Sequence, residues 1–391
     1  MKTQATPPPV ASRIYGITSV ALYESIVTGT KEYQSLVDQL NGLTAVPLSS
    51  KKKRYHWPTV ANAALATTIR GLSPTLSQAA LDAVNNLEQR LMSQHQKGVA
   101  KSVHRRSVAH GQAVAAAILA WAATDGLATT ANCPYSAVPA PGAWEPTPPL
   151  FAANPLQPCW GLIRPMVLSS DEECDTAGPP WFSTDPTSDF YAAALQVYTV
   201  SVNLTDEQER IANYWADGPS ATGTPPGHWI AIVSQIARNE DLSLIEAAEA
   251  YVRVGIAVHD AFIHCWKTKY ATDLQRPVTY INDNLDANWK PYLITPNFPT
   301  YTSGHSTQSG AAATVLSNMF GSMSFIDTTH ADHGLVPMQA PRTFNSFVEA
   351  AAEAAISRLY GGIHFSFDNE DGFTAGQCIG QAVNDRIHFR E

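Results

Sequence analysis

Three short segments in the C-terminal half of the 391-residue chain place cations, hydroxyls and imidazoles at the ends of apolar helical patterns. The first runs from Lys269 to Arg276 and Pro277 and closes a helical pattern that begins near Ser243. Lys269 and Arg276 stand seven residues apart. That is about two helical turns, so both cations project from one face. Pro277 disfavours helical geometry at the residue before it, which leaves the Arg276 guanidinium where the helix stops. The purely structural alternative is a basic helix end that complements the dipole, with Asp273 as the i+4 ion-pair partner of Lys269.

The second segment, Phe298 to Ser306 (FPTYTSGHS), is a loop feeding a helix whose body reads GAAATVLSNMF. Unpaired backbone N–H groups and the positive dipole end make such a helix start an anion site. Ser303 adds a hydroxyl donor, Gly304 permits close backbone approach, and His305 exchanges a proton near neutral pH. An ordinary serine cap followed by a surface histidine has the same pattern. The third segment is Ser357-Arg358, which ends the Ala-rich run EAAAEAAISR, then Gly361-Gly362 and His364-Phe365. An arginine beside an Ala face requires an anion if it is buried. His364, between Ile363 and Phe365, sits in an apolar setting that suits a ligand, a nucleophile or a satisfied core histidine. Together the three segments offer guanidinium forks, a point charge, backbone donors and two imidazoles, which is the donor set for a tetrahedral oxyanion.

This three-part pattern resembles the signature of the vanadium-dependent haloperoxidases and type 2 phosphatidic acid phosphatases. Lys269, Arg276 and Pro277 fit it, as do Ser357, Arg358, Gly362, His364 and Phe365; Thr302 stands where proline is usual, a change not expected to affect anion contact. The stretches PPPVASR, PPGHW and FDNEDG further resemble soluble bacterial haloperoxidase homologues. The resemblance implies that Lys269, Arg276, Ser303, Gly304 and Arg358 hold the oxygens of vanadate, with phosphate able to occupy the same site. It implies His364 as the axial vanadium ligand, His305 as the acid–base group for peroxide, and Lys269 as a further catalytic cation. Trp266 and Phe298 match aromatic positions that line the halide side in chloroperoxidases, although aromatics also pack cores. The implied activity is oxidation of halide by hydrogen peroxide to a hypohalous acid equivalent, which halogenates a small organic acceptor.

The rival at the same site is a soluble acid phosphatase, with His364 forming a phosphohistidine and His305 protonating the leaving alcohol. The missing membrane spans and the chain length favour the peroxidase. A protein that merely holds an oxyanion would not require two histidines.

Helical patterns must position these groups. Pro8 and Pro9 introduce one over 10–27; others follow over 60–71, 75–92 (with Ser73 as the cap) and 102–126. After a break they return over 188–200, 206–215, 229–238, 243–270, 306–319, 346–360 and 374–387. No convincing strand alternation appears, so the expected class is all-α, a single helical-bundle domain over 1–391. Residues 1–131 form its N-terminal helices and 187–391 the helices carrying the site. Between them, 132–186 is a Pro/Trp-rich excursion containing Trp144, Trp160 and Trp181, ordered against the helical body and shaping a site mouth. Composition agrees: 45% hydrophobic and 15% charged residues describe a globular chain. A net charge of −9 argues against nucleic acid as a partner.

Five cysteines do not make a disulfide scaffold. Cys133, Cys159 and Cys174 leave room for one bridge, while Cys265 and Cys378 read as free and buried. The longest apolar run, Ala113 to Ala123, has 11 residues, too short for a membrane span. The start shows no signal peptide, so a soluble chain is expected, secreted or periplasmic if a leader has been removed. Nothing in the pattern specifies an oligomer. Three remaining groups read as structural: Asp260 with His264 as an i,i+4 pair, His330/Asp332/His333 as solvated, and Asp368/Asn369/Asp371 as a turn and cap, while His228 reads equally as a group reaching the cleft and as a cap or packing residue.

Overall fold

The computed structural model describes residues 1–130, 133–136, 139–170 and 172–390. The expected boundary between 131 and 132 therefore lies outside the described residues. Helices dominate. The N-terminal half contains α1 (Pro8–Ile26), α2 (Trp57–Leu72), α3 (Gln78–His95), α4 (Lys101–Ala122) and the short α5 (Leu127–Thr130). After the excursion come α6 (Asp189–Ser201), α7 (Asp206–Tyr214), α8 (Thr224–Asn239), α9 (Leu244–Thr272) and α10 (Pro277–Asn284). The last group is α11 (Gly304–Phe320), α12 (Thr329–Asp332), α13 (Phe347–Tyr360) and α14 (Ser366–Arg386). Pro8 and Pro9 open α1, as expected from their preset φ and the absent N–H. The cap of α3 is Ser77 rather than Ser73: its side chain accepts the Ala80 N–H. One antiparallel pair, β1 (Phe325–Asp327) with β2 (Arg342–Phe344), escaped the sequence reading because three residues are too few to show a period.

The 29-residue α9 is the central beam. Ser243 and Glu246 close a capping box at its start, and nearly every side chain from Ala248 to Trp266 is buried. A helix apolar all round belongs in a core. The main buried cluster joins Val20 of α1, Val60 of α2, Val114 of α4, Ile232 of α8, Val254 of α9, Leu316 of α11, Phe347 of α13 and Ile379 of α14. Two smaller clusters flank the site. One packs Phe190, Tyr280 and Phe365; the other packs Trp160, Phe262 and Trp266.

The excursion folds along α9 and the loop before α11. Trp144 N–H donates to the Asp273 carbonyl at 2.7 Å, and Leu156 N–H to the Asn297 carbonyl at 3.0 Å. Trp144 and Trp160 are buried, whereas Trp181 is 95% exposed and does not anchor the segment as expected. Cys133 pairs with Cys159, and Cys174 pairs with Cys378 of α14. Cys378 is thus not free, a correction: an apolar helical pattern does not reveal what faces it across the fold. Cys265 is free and buried. Asp260 and His264 do not pair either. Asp260 accepts the backbone N–H groups of Met166, Val167 and Leu168, while His264 Nε2 lies 3.0 Å from Asp175. Both reach into the excursion, which sequence spacing alone does not show. Among the described residues no helix is long and apolar enough to cross a membrane.

Close helix approach through glycine sets the positions of the site helices. A Cβ on Gly376 of α14 would stand 2.1 Å from the Thr307 carbonyl of α11, with no flexible side chain to yield. Gly376→Ala is therefore expected to lower stability by about 1–3 kcal/mol, read as a lower denaturant midpoint at unchanged slope.

Candidate active site

Each cation of the sequence motif is carried by an element end. Lys269 lies in the last turn of α9, which stops at Asp273 in left-handed geometry. Its side chain is buried, and Nζ donates to the Pro299 and Thr300 carbonyls at 2.9 and 2.8 Å. Asp273 is not its partner; that carboxylate accepts from Tyr135 Oη at 2.8 Å. Arg276 is extended (φ −78°, ψ 155°) as the cap of α10, which Pro277 begins. Its Nε donates to the Phe298 carbonyl and Nη1 to the Ile363 carbonyl, both at 2.8 Å. Arg358, at the end of α13, donates through Nη2 to the Ala212 carbonyl at 3.3 Å.

These three side chains are 0%, 0% and 2% exposed, yet none forms an ion pair with a carboxylate among the described residues. Arg276 Nη2 is buried without any hydrogen-bond partner among them. Burying unpaired charge is expensive unless an anion completes the site. Burial pushes Lys269 down to about 7, Arg276 to about 9 and Arg358 to about 10. The pattern is an anion cradle.

The imidazoles face the same place. His364 Nδ1 lies 2.8 Å from Asp368 Oδ2 and 3.1 Å from Thr300 Oγ1. A carboxylate accepts only, so Nδ1 carries the proton and Nε2 keeps its lone pair, 3.2 Å from Arg276 Nη1. Thr300 also donates to that Asp368 oxygen. His305, in the first turn of α11, sets Nε2 3.5 Å from Arg358 Nη1 and is held by the Trp215 backbone. Burial and then the neighbouring cations hold both histidines well below their ordinary range, so both are neutral at pH 7. Ser303 caps α11, accepting the Ser306 N–H, and Gly304 opens the helix.

Gly304, His305, Arg358 and His364 line one cavity of about 650 Å³. Trp266 and Phe298 form part of its wall, with rings 5.0 Å apart, and Phe298 lies over both Lys269 Nζ (5.1 Å) and the Arg276 guanidinium (4.8 Å). Toward solvent the lining becomes Leu150, Leu156 and Ile294. The structure thus brings together all nine residues singled out from sequence: Lys269, Arg276, Ser303, Gly304, His305, Arg358, His364, Trp266 and Phe298.

Sequence reasoning missed Asp368 and Thr300. Asp368 does cap α14, accepting the Phe365 N–H at 3.1 Å, but the same oxygen meets His364. The i,i+4 spacing from His364 was the available signal. His330 is buried with Nε2 3.0 Å from the Tyr214 carbonyl, not solvated, and Asp332 pairs with Arg238. Asp371 accepts from Tyr301 Oη. His228 is neither a cap nor simple packing; carboxylates meet both of its ring nitrogens. No cluster of metal-ligating side chains occurs among the described residues.

Sulfate is a suitable probe of the cradle because its charge is constant near neutrality. Lys269 loses its proton above about 7 and Asp368, raised by burial, gains charge above about 6. Both changes make the site less positive, and a bound anion raises the Lys269 value. Sulfate affinity is therefore expected to fall as pH rises through this range, with proton uptake on binding, as measured by calorimetry in buffers of different ionisation enthalpy.

Comparison with known proteins places this geometry. The family model described as the VCPO second helical-bundle domain matches residues 249–390. The vanadium chloroperoxidase of Curvularia inaequalis is 27% identical over 213 residues, 40% of this chain and about a third (35%) of that protein's length. A crystal structure of a holo-type bacterial vanadium-dependent chloroperoxidase shares the fold at TM-score 0.74 and 15% identity, over 97% of this chain and 92% of that one. A crystal structure of a bacterial vanadium-dependent iodoperoxidase superposes at TM-score 0.92 with 37% identity, covering 100% of this chain and 93% of that one. At that identity and coverage, and with buried cations free of carboxylate ion pairs among the described residues beside two neutral histidines, the chain belongs to the vanadium-dependent haloperoxidase family.

Proposed function

We propose that this chain is a vanadate-dependent haloperoxidase that oxidises halide with hydrogen peroxide to a hypohalous acid equivalent. The observation that carries the reading is the convergence of three buried cations, free of carboxylate ion pairs among the described residues, with the unprotonated Nε2 of His364. The donor set fits vanadate. Arg276 Nη2 has no partner among the described residues, and the α11 N-terminus adds backbone donors. Lys269, Arg276, Ser303, Gly304 and Arg358 would hold its oxygens, and His364 would supply the metal ligand through Nε2. What vanadate supplies when bound is Lewis-acid activation of peroxide toward halide.

The chain's own residues do the rest. Asp368 and Thr300 hold the Nδ1 proton of His364, which fixes the ring and raises its basicity. His305 is neutral, so its Nε2 takes the proton that peroxide loses on binding and returns it later. Lys269 and the guanidiniums stabilise negative charge that develops on oxygen. Trp266 and Phe298 keep water from the halide side. The apolar mouth at Leu150 and Ile294 suits a small apolar organic acceptor. The core shared by both halves of the chain supports one folding unit. Two disulfides support an oxidising compartment.

A paired assay tests this. Vanadate-loaded protein is expected to oxidise iodide with hydrogen peroxide, with bromide and chloride assayed alongside. Hydrolysis of p-nitrophenyl phosphate by vanadate-free protein, inhibited by vanadate and without halide oxidation after loading, would instead establish the phosphatase, for which His364 and Asp368 are equally suited. Arg358→Ala is expected to lower kcat for iodide oxidation by about 10²–10³-fold. Asp368→Asn is expected to weaken vanadate retention by about 10–100-fold, measured by equilibrium dialysis.

A further inference from the structure

The PPGHW stretch lies outside the oxyanion cradle, yet its histidine is a fully enclosed polar group near it. His228, in α8, has a side chain with 0% exposure. Its Nδ1 lies 2.8 Å from Asp217 Oδ2, and its Nε2 lies 2.7 Å from Asp327 Oδ2. Ionised carboxylates can only accept, so two such contacts require a proton on each ring nitrogen. Asp327 is itself committed as an anion. Its other oxygen accepts from Thr329 N and Oγ1 at 2.9 and 2.6 Å, and from Gln235 Nε2 at 3.3 Å.

The enclosed ring is in contact with the parts that hold His305. The Trp215 indole stacks on His228 at 4.5 Å with 23° between planes, and the Trp215 backbone is the hydrogen-bond partner of His305. The next residue, Trp229, donates through Nε1 to Ser309 Oγ at 2.9 Å, one turn along α11 from His305. Asp217 lines the same cavity as His305 and Arg358.

We propose that His228 is a positioning residue: a permanently charged imidazolium clamped between Asp217 and Asp327 that fixes the Trp215–Asp217 segment and thereby orients His305 in the site. Burial opposes this charge, but the two carboxylates overcome it and raise His228 to about 10. The charge also acts across space. His305 faces Arg358 on α13, Lys269 on α9 and His228 on α8, all disfavouring its protonation, while its bond to the Trp215 backbone favours it. Removing the imidazolium leaves Asp217 and Asp327 uncompensated, which makes His305 easier to protonate. The importance of His305 rests on the haloperoxidase reading; the charge state of His228 does not.

The test has two arms. In full-length, vanadate-free protein carrying ¹⁵N-histidine, one imidazole is expected to keep both nitrogens protonated from about pH 6 to about 9, well beyond the ordinary histidine value. Assignment uses His228→Asn, which must lack that signal. A His228 resonance that titrates in the ordinary range, or shows one protonated nitrogen at neutral pH, overturns the proposal. In the second arm, folded, vanadate-loaded His228→Asn is expected to lose about tenfold or more in kcat for iodide oxidation. The acid limb of its pH profile should move to higher pH. An unchanged acid limb also overturns the proposal, because a merely structural role would lower stability without moving it. If wild-type protein oxidises no halide, the first arm still decides the charge of His228.

Discussion

Lys269, Arg276 and Arg358 are withdrawn from water without a carboxylate ion pair among the described residues, and much of the architecture around them is a response to that. Each buried charge carries a desolvation penalty of several kcal/mol even after relaxation. Part of it is offset by main-chain carbonyls of Pro299, Thr300, Phe298, Ile363 and Ala212, which must be held pointing inward. That requirement explains why the loops before α11 and α14 are irregular but buried. Their carbonyls are occupied as counter-dipoles to the cations rather than in helices or sheets.

The same electrostatics sets the state of the histidines. Neutral imidazoles among three cations present lone pairs and cannot become charged without added cost, which holds His364 and His305 unprotonated near neutrality. Asp368 holds the Nδ1 proton of His364, and its charge partly offsets that of Lys269 and Arg276 without forming an ion pair with either. The negative charge near Arg358 is handled differently. Asp217 is bound on one oxygen by His228, whose imidazolium is shared with Asp327.

Support for this arrangement comes from rigid helix contacts and from the excursion. Alpha-carbon-close packing of α14 on α11 at Gly376 ties the helix carrying Asp368 to the helix carrying His305. The excursion is bonded to α9 through Asp260 and to α14 through Cys174–Cys378, and it supplies Leu150 and Leu156 to the mouth. A Pro-rich segment suits this role, since it can follow a surface without needing a ladder of its own.

The residue types and spacings by themselves determined the helical class, most helix positions and the break over the excursion, and they marked the polar candidates at the helix ends, whereas Trp266 and Phe298 entered through the family resemblance. They did so because a helix end, a capping serine and a glycine beside a cation leave local marks. What only the tertiary structure decided are pairings between distant segments. Cys378 meets Cys174, His264 meets Asp175 rather than Asp260, and His228 meets Asp217 and Asp327. Lys269 likewise bonds the carbonyls of Pro299 and Thr300, 30 and 31 residues on in the chain, rather than Asp273 one turn on. Sequence periodicity reports which face of a helix is buried, but the partner across that face is chosen by packing, and charge follows the packing.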